Sequence, residues 1–294
     1  MTPKILAPLA LGLLLLHTGC ADPAYSYGSA GSEARLGAQL EVDCQGYAVG
    51  PIATETLLEF TDTSTLNDIY DVAYRIDAIA TIFEACEDPR GLFATVYRPI
   101  TLRAVQAIDA GEFEHPDWTR ELVVDFAARY LDQLETELEG RWVNWAWERY
   151  YALAAHEDVS LTRVATTGIL VHLGYDLPYC LVAIDSQEIH KDDFYLFGDL
   201  LVEVSDVIVE DLAIHYGVDA EDLFSGFFFG DWIDGAFGTH TTTNLSFQTI
   251  RTKAWNNRWY LQQWWGGWVA EFEIYTSFWT IDGILGTLDA TNVI

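Results

Sequence analysis

Residues 160–180 constrain the fold more than any other stretch of the chain. Ser160 is a good helix start, because its hydroxyl can accept from the free backbone N–H groups of a first turn. Leu161, Val164, Ala165, Ile169, Val171 and Leu173 follow, so apolar positions cover much of the circumference. A helix of that kind belongs at the centre of a helical bundle, not on its surface. Gly174 reads as its stop, since glycine tolerates the left-handed conformation that closes a helix. Pro178 suits the first turn of a second helix, and Asp176 reads as that helix's cap, accepting from the N–H of Tyr179.

His172 stands among Leu170, Val171 and Leu173, with Asp176 four positions later. If the helix persists through Gly174, the two side chains share one face. Two readings stay open. In the first, His172 is a buried histidine donating to a carbonyl and Asp176 is only a cap. In the second they are a working pair, with Asp176 orienting His172 as a base or both binding a divalent metal.

The rest of the chain repeats the helical period. Helices are expected near 65–84, from Asp88-Pro89 to Gly111 with a kink at Pro99, from Pro116 to Gly140, and over 141–156, 193–216, 246–265 and 267–288. Asp192 reads as a cap for the helix that follows it. Strand signals are scarce, so the fold class is all-α, a single domain of about ten helices over residues 42–294. Asp199, Glu203, Asp206 and Glu210 recur on one helical face and read as solvated. A di-iron bundle also needs Glu-x-x-His pairs, and only Glu112 with His115 offers one, at a loop. The tryptophans of 141–156 suit core packing or a stacked sugar or lipid tail. Trp255, Trp259, Trp264, Trp265, Trp268 and Trp279 fit packed helix faces. His156 falls about 20 Å from His172 if their helices run antiparallel, at 1.5 Å per residue.

Residues 1–20 read as an export signal: Lys4, an apolar run over 5–16 too short to span a bilayer, then His17-Thr18-Gly19-Cys20. The ending resembles a bacterial lipobox, with Cys20 as the lipidated residue. The expectation is an exported protein, lipid-anchored in the cell envelope, with ordinary secretion as the alternative. Residues 21–41 read as a tether. The 45 acidic residues face 15 Lys and Arg, giving a net charge of −30 that repels nucleic acids and anionic membranes. In an oxidising compartment Cys44 and Cys86 suit a disulfide, and Cys180 a buried free thiol. Phe227, Phe228, Phe229 and Trp232, set between glycines, suit either a lid or membrane-facing loop or a segment buried on the bundle.

The order of these features resembles an uncharacterised bacterial family, domain of unknown function 5995. The likeness runs from Asp88-Pro89-Arg90-Gly91-Leu92-Phe93 through Trp118, Phe126 and Tyr130 to the 168–178 seam, Asp193-Phe194 and Ala254-Trp255. Its most specific part is His172-Leu173-Gly174-Tyr175-Asp176-Leu177, with Gly174 where that family tends to have asparagine. The resemblance implies fold and site position, and no activity. A fainter likeness exists to the exported, all-helical group of zinc-dependent phospholipases C and single-strand nucleases. Those use more histidines and an N-terminal tryptophan, whereas this chain has seven histidines and its first tryptophan is Trp118.

The functional expectation is therefore a polar site at His172 and Asp176 that binds a divalent metal and hydrolyses a small or lipidic substrate. Arg103 and Arg163 would meet an anionic group, and Phe228 and Trp232 the apolar part. The alternative is a non-catalytic binding or scaffold protein of the envelope. No pattern specifies an oligomeric state.

Overall fold

The computed structural model describes residues 42–219, 247–291 and 293–294. The expected leader, Cys20, the tether, and Phe227, Phe228, Phe229 and Trp232 lie outside these residues.

A strap over 43–49, closed by an isolated bridge between Cys44 and Val49, precedes the first helix. That helix, α1 (Pro51–Thr61), has no counterpart in the sequence reading, because Gly50 and Pro51 resemble a turn as much as a helix start. Next come α2 (Ile69–Ala85), α3 (Leu92–Ala110), α4 (Pro116–Leu138) and α5 (Trp145–Ala154). Beyond them lie α6 (Leu161–Val171), α7 (Leu177–Ala183), α8 (Lys191–Glu203) and α9 (Ser205–Tyr216). The last two are α10 (Phe247–Gln262) and α11 (Gly267–Ala290). No strand occurs among the described residues, and the fold is an all-α bundle. None of the described helices is long and apolar enough to cross a membrane.

Local chemistry accounts for most boundaries. Asp68 caps α2 by accepting from the N–H groups of Tyr70 and Asp71. Asp88 accepts from the N–H of Arg90 at the short turn that leads into α3. Gly111 closes α3 at φ 72°, where a side chain would be strained. Asn144 caps α5 through the N–H groups of Ala146 and Trp147, so this helix starts later than the aromatic pattern implied.

α6 sits at the centre: every residue from Thr162 to Val171 is buried. It packs against α3, α5 and α11. Gly168 permits that closeness to α3, since a Cβ there would meet Phe93 at 2.8 Å.

Five expectations are corrected. Gly174 does not stop the helix. A five-residue π-turn, His172–Asp176, joins α6 to α7, because Leu173 and Leu177 are both drawn into the core. Asp176 therefore caps nothing, and its side chain turns inward. The long helix expected over 193–216 breaks at Val204 into α8 and α9. Asp192 does not cap it either: α8 starts at Lys191 without a side-chain cap, and Asp193 instead accepts from the N–H groups of Glu114 and His115, holding the start of α4. Lastly, of the later tryptophans only Trp255 is buried. Trp259, Trp264, Trp265, Trp268 and Trp279 are exposed.

Cys44 and Cys86 form a disulfide with Cα atoms 5.4 Å apart, tying the strap to the end of α2. Cys180 is a buried free thiol.

Candidate functional site

The π-turn keeps His172 and Asp176 together despite the extra residue in the turn. His172 Nδ1 lies 3.0 Å from Asp176 Oδ2. The same oxygen accepts from Trp147 Nε1 at 3.0 Å. An aromatic sleeve surrounds the imidazole: it stacks on Phe126 with ring centres 3.5 Å apart, and Phe93 and Tyr97 meet it edge-on at 5.0 Å each. His172 and Asp176 are 2% and 3% exposed. Burial pushes the imidazole below its usual pKa, outweighing the opposite pull of Asp176, so the ring is neutral near pH 7. A neutral ring whose Nδ1–H donates to a carboxylate keeps its lone pair on Nε2. Nε2 has no partner. The ring borders a cavity of about 30 Å³ that it shares with Phe93, Val96, Tyr97, Ile169 and Leu201.

This geometry is poorly suited to the chemistry expected of it. A general base must reach the proton it removes, and this ring is walled in by hydrocarbon. A divalent ion needs several ligands, whereas the seam offers one free nitrogen. Among the described residues no group of three or more His, Cys, Asp or Glu side chains is placed to hold a metal. The expected anion-binding arginines are engaged elsewhere. Arg163 is buried, bonds Thr167 and the carbonyl of Asp282, and forms a short ion pair with the Asp282 carboxylate, so it bolts α6 to α11. Arg103 bridges Glu112 and Glu203 near the surface. Neither meets the His172 seam.

A second His–carboxylate pair went unread in the sequence. His115 Nδ1 lies 2.9 Å from Asp193 Oδ2, the carboxylate that also holds the α4 start. Its histidine and aspartate are 78 residues apart, so no local spacing announces them.

A far larger concavity than the one at His172 lies elsewhere. A cleft of about 970 Å³ opens where the strap, the turn after α2, the end of α4 and the end of α5 converge. Asp88 anchors one wall. Its carboxylate, 2% exposed, accepts from the Val49 N–H at 3.0 Å and from Arg90 Nη2 at 2.6 Å. Tyr150 supports the same turn, accepting from the Phe93 N–H and donating to the Arg90 carbonyl. Glu87, also on the wall, holds φ 53° at the end of α2, where glycine would be unstrained.

Two groups in this cleft are unspent. Glu137 forms no ion pair, and burial pushes its carboxyl pKa up against the pull of Arg90. Tyr151, 5% exposed, lines the same cleft, and its hydroxyl is buried without a hydrogen-bond partner. Burial, together with the tyrosines and Glu137 around it, keeps that phenol protonated. His156 and Glu157 stand exposed at the rim. In the sequence Glu137 is one of a run of acids on α4 and Tyr151 one of a run of aromatics on α5. Nothing in either run marks the member that faces the cleft.

The chain matches a family of unknown function, DUF5995, over residues 69–269, well over half its length, and the protein belongs to that family. The seam and the cleft groups Arg90, Glu137 and Tyr151 all lie inside the matched residues. Comparison with curated proteins returned no match, and neither did comparison with solved structures.

Proposed function

We propose that this is a ligand-binding protein of the cell envelope, exported and lipid-anchored at Cys20, whose cleft takes a small molecule with an amine head on an apolar body. The observation that carries the reading is the buried, unpartnered Tyr151 hydroxyl beside Glu137, a partly desolvated carboxylate with no cation of its own. Leaving a buried polar group unsatisfied costs about 1–3 kcal/mol. An ammonium group that donates to Tyr151 Oη and to Glu137 removes that cost.

The sign of the charge narrows the ligand. Glu87, Glu137 and Glu157 line the cleft without ion pairs, while its one arginine, Arg90, is already bound to Asp88. An ammonium group fits that balance and a carboxylate does not. Leu153, Leu161 and Val164 supply an apolar wall for the remainder. The metal-hydrolase alternative receives less support, since it asks a sealed imidazole with one free nitrogen to meet both metal and substrate.

Thermal unfolding with a panel of alkyl- and arylamines and the matching carboxylic acids tests the proposal. An amine is expected to raise the Tm of the wild-type protein and not that of a Glu137→Gln variant, while the acids leave both unchanged. Stabilisation by the acids, or by amines equally in both proteins, overturns it.

A further inference from the structure

α11 is apolar on two faces. Ala270, Ile274, Phe278, Ile281 and Leu285 point into the bundle. Trp268, Phe272, Tyr275 and Trp279 recur at steps of four, three and four residues, which places them on one opposite stripe. Their exposures are 72%, 67%, 52% and 38%. Trp264, in the turn from α10, is 96% exposed and precedes the stripe by one helical turn's worth of chain. A contiguous exposed patch of large aromatics marks an interaction surface.

Three features identify what covers it. The first is charge. Residues 259–281 carry only Glu271 and Glu273 as charged residues, and Glu273 is paired with Lys253, so little charge stands beside the stripe in a chain of −30. The second is polarity. Thr276 and Thr280 beside the stripe each return their hydroxyl to a backbone carbonyl of α11, at 2.8 and 2.7 Å, so neither depends on water. Glu273 is likewise paired with Lys253. The third is residue type. Tryptophan and tyrosine, with an apolar body and one polar tip, concentrate at the headgroup level of bilayers.

We propose that the Trp264, Trp268, Phe272, Tyr275 and Trp279 face lies in the interface of a bilayer of uncharged, zwitterionic lipid. The surface adds a second membrane contact to any lipid on Cys20, and one acyl chain by itself gives only marginal, reversible binding.

Flotation with phosphatidylcholine vesicles tests this on the full chain carrying Cys20→Ser, which removes lipidation. Trp268→Gln with Phe272→Gln is expected to lower partitioning at least about tenfold, the scale of two large aromatics returned to water. Ile214→Gln, which removes an apolar side chain 66% exposed on α9, is expected to change nothing. Adding phosphatidylglycerol should weaken binding, given the net charge. Trp264→Gln alone, at a fully exposed position, supplies the same comparison if the double variant misfolds, read by circular dichroism. Equal flotation of all variants, or none of the parent, overturns the proposal. So does sedimentation showing a dimer that the stripe variant dissociates, since a second copy would then cover the face.

Discussion

The seam at His172 and the cleft at Glu137 are built from similar materials to opposite ends. Each sets a titratable side chain against aromatics, and each leaves one buried polar atom without a partner: His172 Nε2 in the seam, Tyr151 Oη in the cleft. The seam gathers Trp147, Asp176 and His172 into one bonded set, and its spare nitrogen belongs to a ring bordering about 30 Å³ among hydrocarbon side chains. The cleft's groups stay unpaired beside about 970 Å³ of open space. A buried polar residue is thus poor evidence of function by itself. Spare bonding capacity on a residue that lines open space is the better sign.

The contrast can be broken first at Asp176. Asp176→Ala leaves Trp147 Nε1 and His172 Nδ1 without their acceptor, and each buried donor left unsatisfied costs about 1–3 kcal/mol. Urea unfolding should show that loss, with the cleft's amine response intact wherever the variant remains folded. A loss below about 1 kcal/mol would mean that the seam does not hold the core.

Reducing the disulfide between Cys44 and Cys86 bears on the cleft side. The bridge closes 42 residues of chain separation, worth about 4 kcal/mol by chain entropy and commonly 2–4 in practice. Gln45, Tyr47 and Ala48 on that strap edge the cleft. Reduction should therefore lower Tm and weaken amine binding together, while the seam, remote from the strap, keeps its protection from hydrogen exchange relative to the rest of the bundle.

Tyr151→Phe is expected to be a smaller and opposite change. Removing an unsatisfied hydroxyl should leave stability unchanged or raise it by up to about 1 kcal/mol. Amine affinity should fall roughly two- to tenfold, the worth of one hydrogen bond. A stability loss comparable to that of Asp176→Ala would place Tyr151 in the same structural class as the seam.

Titration separates the regions most finely. His172 is held below its usual pKa, so its contribution to stability is intact above about pH 6.5 and is lost as pH falls towards the folded value. Glu137 runs the other way. Its carboxyl is raised from 4.5, so its contribution is complete below that value and is lost as pH rises through the folded one. Neither slope can exceed about 1.4 kcal/mol per pH unit. Tm measured against pH should lose its acid-side fall in His172→Gln and flatten above pH 4.5 in Glu137→Gln.

Much of the bundle was legible because its causes are local. Asp88, Gly111 and Pro116 act within one or two turns of where they stand, and the bounds of α3 and the start of α4 follow from them, whereas α2 starts under Asp68, later than the expected 65. The break at Val204 was hidden, since the one glycine of residues 193–216, Gly198, stays inside α8 and no helix breaker stands at 204. Gly174 misled for the complementary reason. It ends a helix only where the chain is free to leave, and Leu173 and Leu177 are held in the core on either side of it.

The sequence by itself determined an all-α fold, a central helix over 161–171, and a His172 and Asp176 pair on one face, because helical periodicity and capping depend on neighbours a few residues apart. Tertiary structure alone decided that this pair is sealed, that Trp147 shares its carboxylate, and that Asp88, Arg90, Glu137 and Tyr151 meet in one cleft. Those outcomes depend on burial and on contacts between residues tens of positions apart, and residue type and spacing do not record which side of a helix water can reach.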